Sequence, residues 1–447
     1  MSNCSEVIII GGGLAGCEAA WQVAERGVKA KLYEMRPIQN TPAHSTSFLS
    51  ELLCSNSFRS NSTENAAGLL KEEMRRLNSI IIHTADETRV PAGLALAVDR
   101  NRFGSIITEI ISRHANIEVV RKEVTEIPPD STVIIASGPL TSDSLAEHIK
   151  ELVNEKHLYF YDAISPIVDG ESIDYEKVFF GSRYNKGGAD YINCPMSEEE
   201  YYRFWEDILK GKKIPLRDFE NISYFEGCMP IEVMAERGKD TLSFGPFKPV
   251  GLQRPDNGER PYAVVQLRRE DTEGRLYNMV GMQTKLTYSE QKRIFRTIPG
   301  LESVEFVRYG SVHRNTFVNS PRLLIPTLQL KERDRILFAG QITGVEGYIE
   351  SAATGLLAGI NAVNIVKEKE PLIFPDTTSI GALLRYITTS GSKNFQPMNI
   401  NFGLFPPLKK RIKERSLRNN KIVQRALDDL DKIMSKDRRD ACPTGKG

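Results

Sequence analysis

The chain has 447 residues, 40% of them hydrophobic and 26% charged, with a formal net charge of +1. This is an ordinary globular composition, long enough for two or more domains with a large core. The near-neutral balance excludes a global polycation, so any sign of a nucleic-acid partner has to be local.

The first element expected is a buried strand. Val7 to Ile10 form a continuous apolar run, and Gly11, Gly13 and Gly16 follow in the spacing GxGxxG. The run breaks into glycines too early to span a membrane and has no basic leader or cleavage site, so a cytoplasmic chain is expected. A helix is predicted over 14–26, with Gly27 placed to cap it, and a second strand "KAKLYE" ends in Glu34. Strand, glycine turn, helix, strand and acid in that order make a dinucleotide-binding unit. The turn Gly11-Gly12-Gly13-Leu14-Ala15-Gly16 would bring backbone amides to a pyrophosphate, and Glu34 would meet a ribose hydroxyl. FAD, NAD and S-adenosylmethionine all use such a unit, so the motif does not choose among them.

The next informative stretch is "ELLCSNSFRS" at 51–60, which leaves Cys54 in a hydroxyl-rich loop. The six cysteines, at 4, 17, 54, 194, 228 and 442, are scattered with no CxxC pair. That spacing argues against a zinc site or a disulfide framework, and no metal is expected. "STVIIASGPLT" at 131–141 reads as another buried strand running into a Gly-Pro turn. From about 163 to 307 the character changes to mixed aromatic, charged and strand-like segments, read as an inserted α/β domain between dinucleotide-domain parts at 1–162 and 308–447. It contains "YFEGCMPIEVMAERG", with Cys228 at a turn among carboxylates. A nucleophilic role there needs nearby cations or helix-end amides, and buried, inert cysteine is the ordinary alternative for both thiols.

"DRILFAGQITGVEGYIESAATGLLAGINAVN" at 334–364 reads as strand, glycine loop and a helix rich in small residues. A late unit of this kind joining an N-terminal dinucleotide fold is the arrangement of FAD proteins of the glutathione-reductase type. It points to FAD, with Gly340 and Gln341 beside the flavin where an acid is more usual. No second GxGxxG unit is present, so a nicotinamide donor would visit the flavin without a domain of its own. Toward the C-terminus, "LKKRIKERSLRNNKIVQRALDDLDKIM" reads as an amphipathic helix beside the aromatic "NFGLFPP". Its Lys409 to Arg425 portion carries eight basic residues and one acid, Glu414. That run is either a solvated helix face or a phosphate-contacting surface.

The chain resembles the folate- and FAD-dependent tRNA (uracil-5-)-methyltransferase family nearly end to end. The resemblance is carried by "IIGGGLAGCEAAWQ", "ELLCSNSFRSN", "ALAVDR", "FEGCMPIEVMAERGKDTLSFGPFKPVGL", "EQKRIFRTIPGLESVEFVRYGSVHRNTF" and "FAGQITGVEGYIESAATGLLAGINA". It implies a FAD-binding Rossmann-type α/β fold of the glutathione-reductase kind with an inserted domain. The implied activity is methylation of uridine C5 at T-loop position 54 of tRNA. Carbon would come from 5,10-methylenetetrahydrofolate by way of reduced FAD, with NADH or NADPH as reductant. A thiolate adding to uracil C6 makes C5 nucleophilic. By resemblance Cys228 is that nucleophile, Cys54 the assisting thiol, and His313 helps sandwich the folate pterin against the flavin. The serines and asparagines around Cys54 would then donate to flavin, folate or uracil oxygens. No obligate protein partner is implied. Two rivals stand beside this reading: a wobble-uridine-modifying flavoprotein, which would be considerably longer, and a non-catalytic flavin-containing tRNA-binding protein.

Overall fold

A computed structural model of the chain describes residues 6–41, 43–154, 158–214, 229–256, 258–391 and 395–441. The apolar run at the N-terminus forms the strand Glu6–Ile10, with Val7 and Ile9 wholly buried. It pairs in parallel with Lys29–Glu34 on one side and Thr132–Ile135 on the other. Six strands make this sheet, in the order Gln329–Leu330, Arg333–Phe338, Thr132–Ile135, Glu6–Ile10, Lys29–Glu34, Ile117–Arg121. All neighbours run parallel except the short edge strand Gln329–Leu330, which turns back on Arg333–Phe338. A mostly parallel sheet must be covered on both faces, which explains why its strands read as continuous apolar runs rather than alternating ones.

Two helices cover one face together. Leu14–Glu25 leaves the glycine turn, and Gly27 closes it with a positive φ of 74° and an N–H bond to the Ala24 carbonyl. The late helix Tyr348–Val366 lies against it so closely that a Cβ on Gly359 would sit 2.7 Å from the Ala19 carbonyl oxygen. Gly355 makes a still tighter approach to the Ala15 backbone. The small residues of this segment therefore set helix separation. By length and composition the late helix could cross a membrane, but 83% of its apolar span is buried within the protein, as befits a core helix.

A second, antiparallel sheet has the order Phe179–Phe180, Tyr191–Met196, Ala263–Arg269, Leu276–Val280, Ile167–Asp169, Phe306–Arg308. It has its own core of Phe204, Phe247, Leu267, Met279 and Phe295. Helix Glu198–Lys210, started by a Ser197–Glu200 capping box, packs onto it. The chain passes between the two sheets along an antiparallel ribbon, Leu158–Ile164 with Ser311–Phe317, in which His313 stands opposite Asp162.

A small sheet of Ser57–Ser60, Ala95–Val98 and Arg89–Val90 follows the Cys54 loop. The C-terminal helix begins at Arg415, not at Leu408, and runs to Ala441. Its buried Ile422, Ala426 and Leu430 join the core of the first sheet.

Candidate active site

The glycine turn and the late helix converge on one cleft at the carboxyl ends of the parallel strands, where ligands of such sheets bind. Gly11, Gly12, Gly13, Leu14, Ala15, Glu34, Gly340, Gln341 and Cys54 all line it, brought together from four separate stretches of chain. Gly16 does not line it. It lies beneath the turn, packed against the Gly11 carbonyl, so its lack of a side chain serves the sharpness of the turn. Cys228 lies outside the described residues, and for His313 only the backbone is described.

Gly11 has φ +110° and passes directly under the Ala136 carbonyl, a path closed to a side chain. Gly13, by contrast, has open space where a Cβ would stand. The first-turn amides of helix Leu14–Glu25 begin there without intrahelical acceptors, which makes a cradle for a phosphate.

Glu34 ends the second strand with both carboxylate oxygens engaged. Oε2 accepts the Gly12 N–H at 3.0 Å, and Oε1 accepts both the Arg36 backbone N–H and Nε at 2.9 Å. Arg36 is itself buried and reaches on to Glu51 at 2.8 Å. Burial works against the Glu34 charge, yet the hydrogen bond and charge of Arg36 hold its carboxyl below the ordinary range. The acid was legible in the sequence; its clamp was not, because Arg36 and Glu51 show no spacing signature.

Cys54 is half-buried, whereas Cys17 and Cys194 are buried in the cores. Burial pushes the Cys17 thiol up to about 12 and raises that of Cys194 as well. The Cys54 loop is held by groups from two helices and from the second sheet. The Tyr348 hydroxyl accepts the N–H of Cys54 at 2.9 Å and of Ser55 at 3.1 Å. Arg100 donates to the carbonyls of Leu52 and Leu53 while pairing with Glu270 at 2.9 Å. Arg268, from the second sheet, donates to Ser55 Oγ at 2.7 Å and Asn56 Oδ1 at 2.9 Å.

These bonds correct one expectation. Asn56 is fully buried, its amide on the carbonyls of Val98 and Arg269, so it is a structural pin of the loop rather than a donor to a ligand. The cationic surroundings of Cys54 were also invisible in sequence. Arg100 and Arg308 both lie within electrostatic reach of Cys54, so a charge on the thiol would favour their protonated guanidiniums.

Gly340 and Gln341 follow the strand Arg333–Phe338. Gly340 has φ +84° and gives its N–H to Thr354 of the late helix, and Gln341 Nε2 donates to the buried Glu346 at 2.7 Å. Tyr348 and Ser351, at the N-terminal end of the late helix, complete this wall. Two helix N-termini facing one cleft, an open glycine cradle and a buried carboxylate suit a dinucleotide with a planar ring system. The residues fit FAD.

The profile of the family described as glucose inhibited division protein A matches residues 6–370. A methylenetetrahydrofolate–tRNA-(uracil-5-)-methyltransferase TrmFO from Geobacter sulfurreducens is 60% identical over 426 residues, covering 95% of this chain and 98% of its own. The protein of the same name from Anoxybacillus flavithermus is 58% identical over 431 residues, 96% of this chain and 100% of its own. Among solved structures, Aquifex aeolicus GidA superposes with a TM-score of 0.70 at 19% identity, over 96% of this chain and 73% of that one. That likeness bears on the fold.

Proposed function

The chain belongs to the glucose inhibited division protein A family and to the TrmFO methylenetetrahydrofolate–tRNA-(uracil-5-)-methyltransferases, and on that premise we propose that it methylates C5 of uridine 54 in the T-loop of tRNA. The observation that carries the reading is the convergence of the glycine turn, Glu34, Gly340, Gln341 and Cys54 on one cleft. When bound, FAD and methylenetetrahydrofolate supply the one-carbon unit and the hydride, with electrons from NADH or NADPH. The glycine turn and the first-turn amides hold the pyrophosphate, and the clamped Glu34 receives ribose hydroxyls. Residues 163–307 act as the inserted domain that steadies the Cys54 loop from above.

In this scheme the Cys228 thiolate adds to uracil C6, which turns C5 into a nucleophile, and leaves once the methyl group is complete. Cys54 assists from the cleft wall, where Arg100 and Arg308 are its cationic neighbours. His313 packs on the pterin. A cytoplasmic location agrees with a tRNA substrate.

The test is to incubate the purified protein with a tRNA transcript, methylenetetrahydrofolate and NADH or NADPH, omitting S-adenosylmethionine. Formation of 5-methyluridine at position 54 supports the proposal. Modification of the wobble uridine instead, or tRNA binding with no modification, would establish one of the two rivals.

A further inference from the structure

The C-terminal segment has a charge distribution that folding does not explain. Lys409, Lys410, Arg411, Lys413, Arg415, Arg418 and Lys421 are all exposed, interrupted by a single acid, Glu414. Arg415 and Arg418 occupy the first turn of helix Arg415–Ala441, which contains no acid. The helix dipole disfavours cations there, and among the described residues Arg415, Arg418 and Lys421 form no ion pair. The acids of the same helix all come later, and two of them are used in the fold: Asp429 bonds Thr377 and Lys432, and Asp431 pairs with Arg76. The helix is therefore cationic and unpartnered at its start, and charge-balanced where it docks.

Its placement gives that start a direction. Asn419 donates to the Glu64 carbonyl at 3.3 Å, which fixes the first turns of the helix beside the loop 61–65. That loop continues the strand Ser57–Ser60, which continues the Cys54 loop. Glu64 is ten residues from Cys54, so the two are at most about 35 Å apart, about one turn of a nucleic-acid duplex. Between them Arg59 holds a partly exposed guanidinium against Glu350. The adjacent Phe405 is buried, so this surface offers charge rather than base stacking.

We propose that the segment 409–421 is the docking surface for the phosphate backbone of the tRNA stem whose loop base enters the cleft at Cys54. The proposal rests on the tRNA reading above and names where the RNA lies. A duplex presents about one negative charge per 1.7 Å of axis, and contacts to several phosphates give binding a steep salt dependence.

The experiment compares the full-length holoenzyme with the double variant Arg418→Glu/Lys421→Glu and with Lys432→Glu from the charge-balanced half. FAD absorbance and thermal midpoint report folding in each. Binding of a tRNA transcript is titrated at several salt concentrations, and methylation is assayed separately. The double variant is expected to bind tRNA at least tenfold more weakly, with a salt slope shallower by about 2, while its FAD content and kcat at saturating tRNA stay unchanged. Lys432→Glu is expected to match the parent. Equal affinity and slope in the double variant would overturn the proposal, as would loss of binding to anionic phospholipid vesicles with tRNA binding intact. If the parent binds tRNA without methylating it, the functional reading fails while the binding comparison still decides the surface.

Discussion

The Tyr348 hydroxyl accepts the backbone N–H groups of both Cys54 and Ser55, at 2.9 and 3.1 Å. One side chain at the first turn of the late helix thus fixes a thiol nearly three hundred residues earlier in the chain against the cleft. Tyr348 is buried, and burial together with the Cys54 charge raises its phenol above the ordinary range, so it stays a neutral hydroxyl at working pH.

Replacing Tyr348 with Phe leaves two backbone donors without an acceptor, a loss of about 1–3 kcal/mol. The variant is expected to melt at lower temperature and to lose kcat for methylation more than it raises KM for tRNA. Calorimetry and steady-state kinetics check this; an unchanged midpoint and kcat would remove Tyr348 from the support of Cys54.

The Glu34–Arg36 pair predicts a pH dependence. A carboxyl held below its ordinary value of 4.5 in the folded state contributes stability that is present above that value. That contribution is lost as pH falls through the lowered folded value. Glu34→Gln is expected to destabilise the protein by about 3 kcal/mol at neutral pH and to flatten the acid limb of stability against pH. Denaturant midpoints from pH 7 to pH 3 test this, and parallel curves for the parent and the variant would contradict it.

Gly355 lies against the Ala15 backbone, where there is no room for a side chain. Gly355→Leu must push the late helix off the glycine helix, at a cost of about 3 kcal/mol or more, and move the amides that face the cleft. The variant is expected to purify without bound FAD or not to fold. A yellow, normally melting variant would show that this contact does not set the cleft.

The parts of the fold that repeat a local rule were legible in the sequence. The glycine turn, Glu34 and the late glycine loop each announce themselves because backbone conformation and burial restrict the residue types allowed. Cys54 stood out for a thiol among hydroxyls, and the structure keeps it half-buried at the cleft. What holds these residues was not legible. Arg36, Arg100, Arg268 and Tyr348 reach their partners across 2 to 294 residues of sequence, and an arginine or tyrosine in a string carries no mark of the carboxylate or amide it will meet. Asn56 shows the same limit from the other side. Its polar neighbourhood suggested a ligand donor, yet Val98 of the small sheet and Arg268 and Arg269 of the second sheet take up its side-chain bonds.

The central claim is that a thiol of this chain performs folate-dependent methylation of tRNA, and its most direct measurement is 5-methyluridine formation by Cys54→Ala and Cys228→Ala. Each variant is assayed with methylenetetrahydrofolate and NADH or NADPH and without S-adenosylmethionine, alongside the parent. The account predicts methylation by the parent at position 54, its loss in Cys228→Ala, and a strong reduction in Cys54→Ala with FAD still bound. Methylation at the parent's rate in both variants, or none by the FAD-loaded parent, would contradict it.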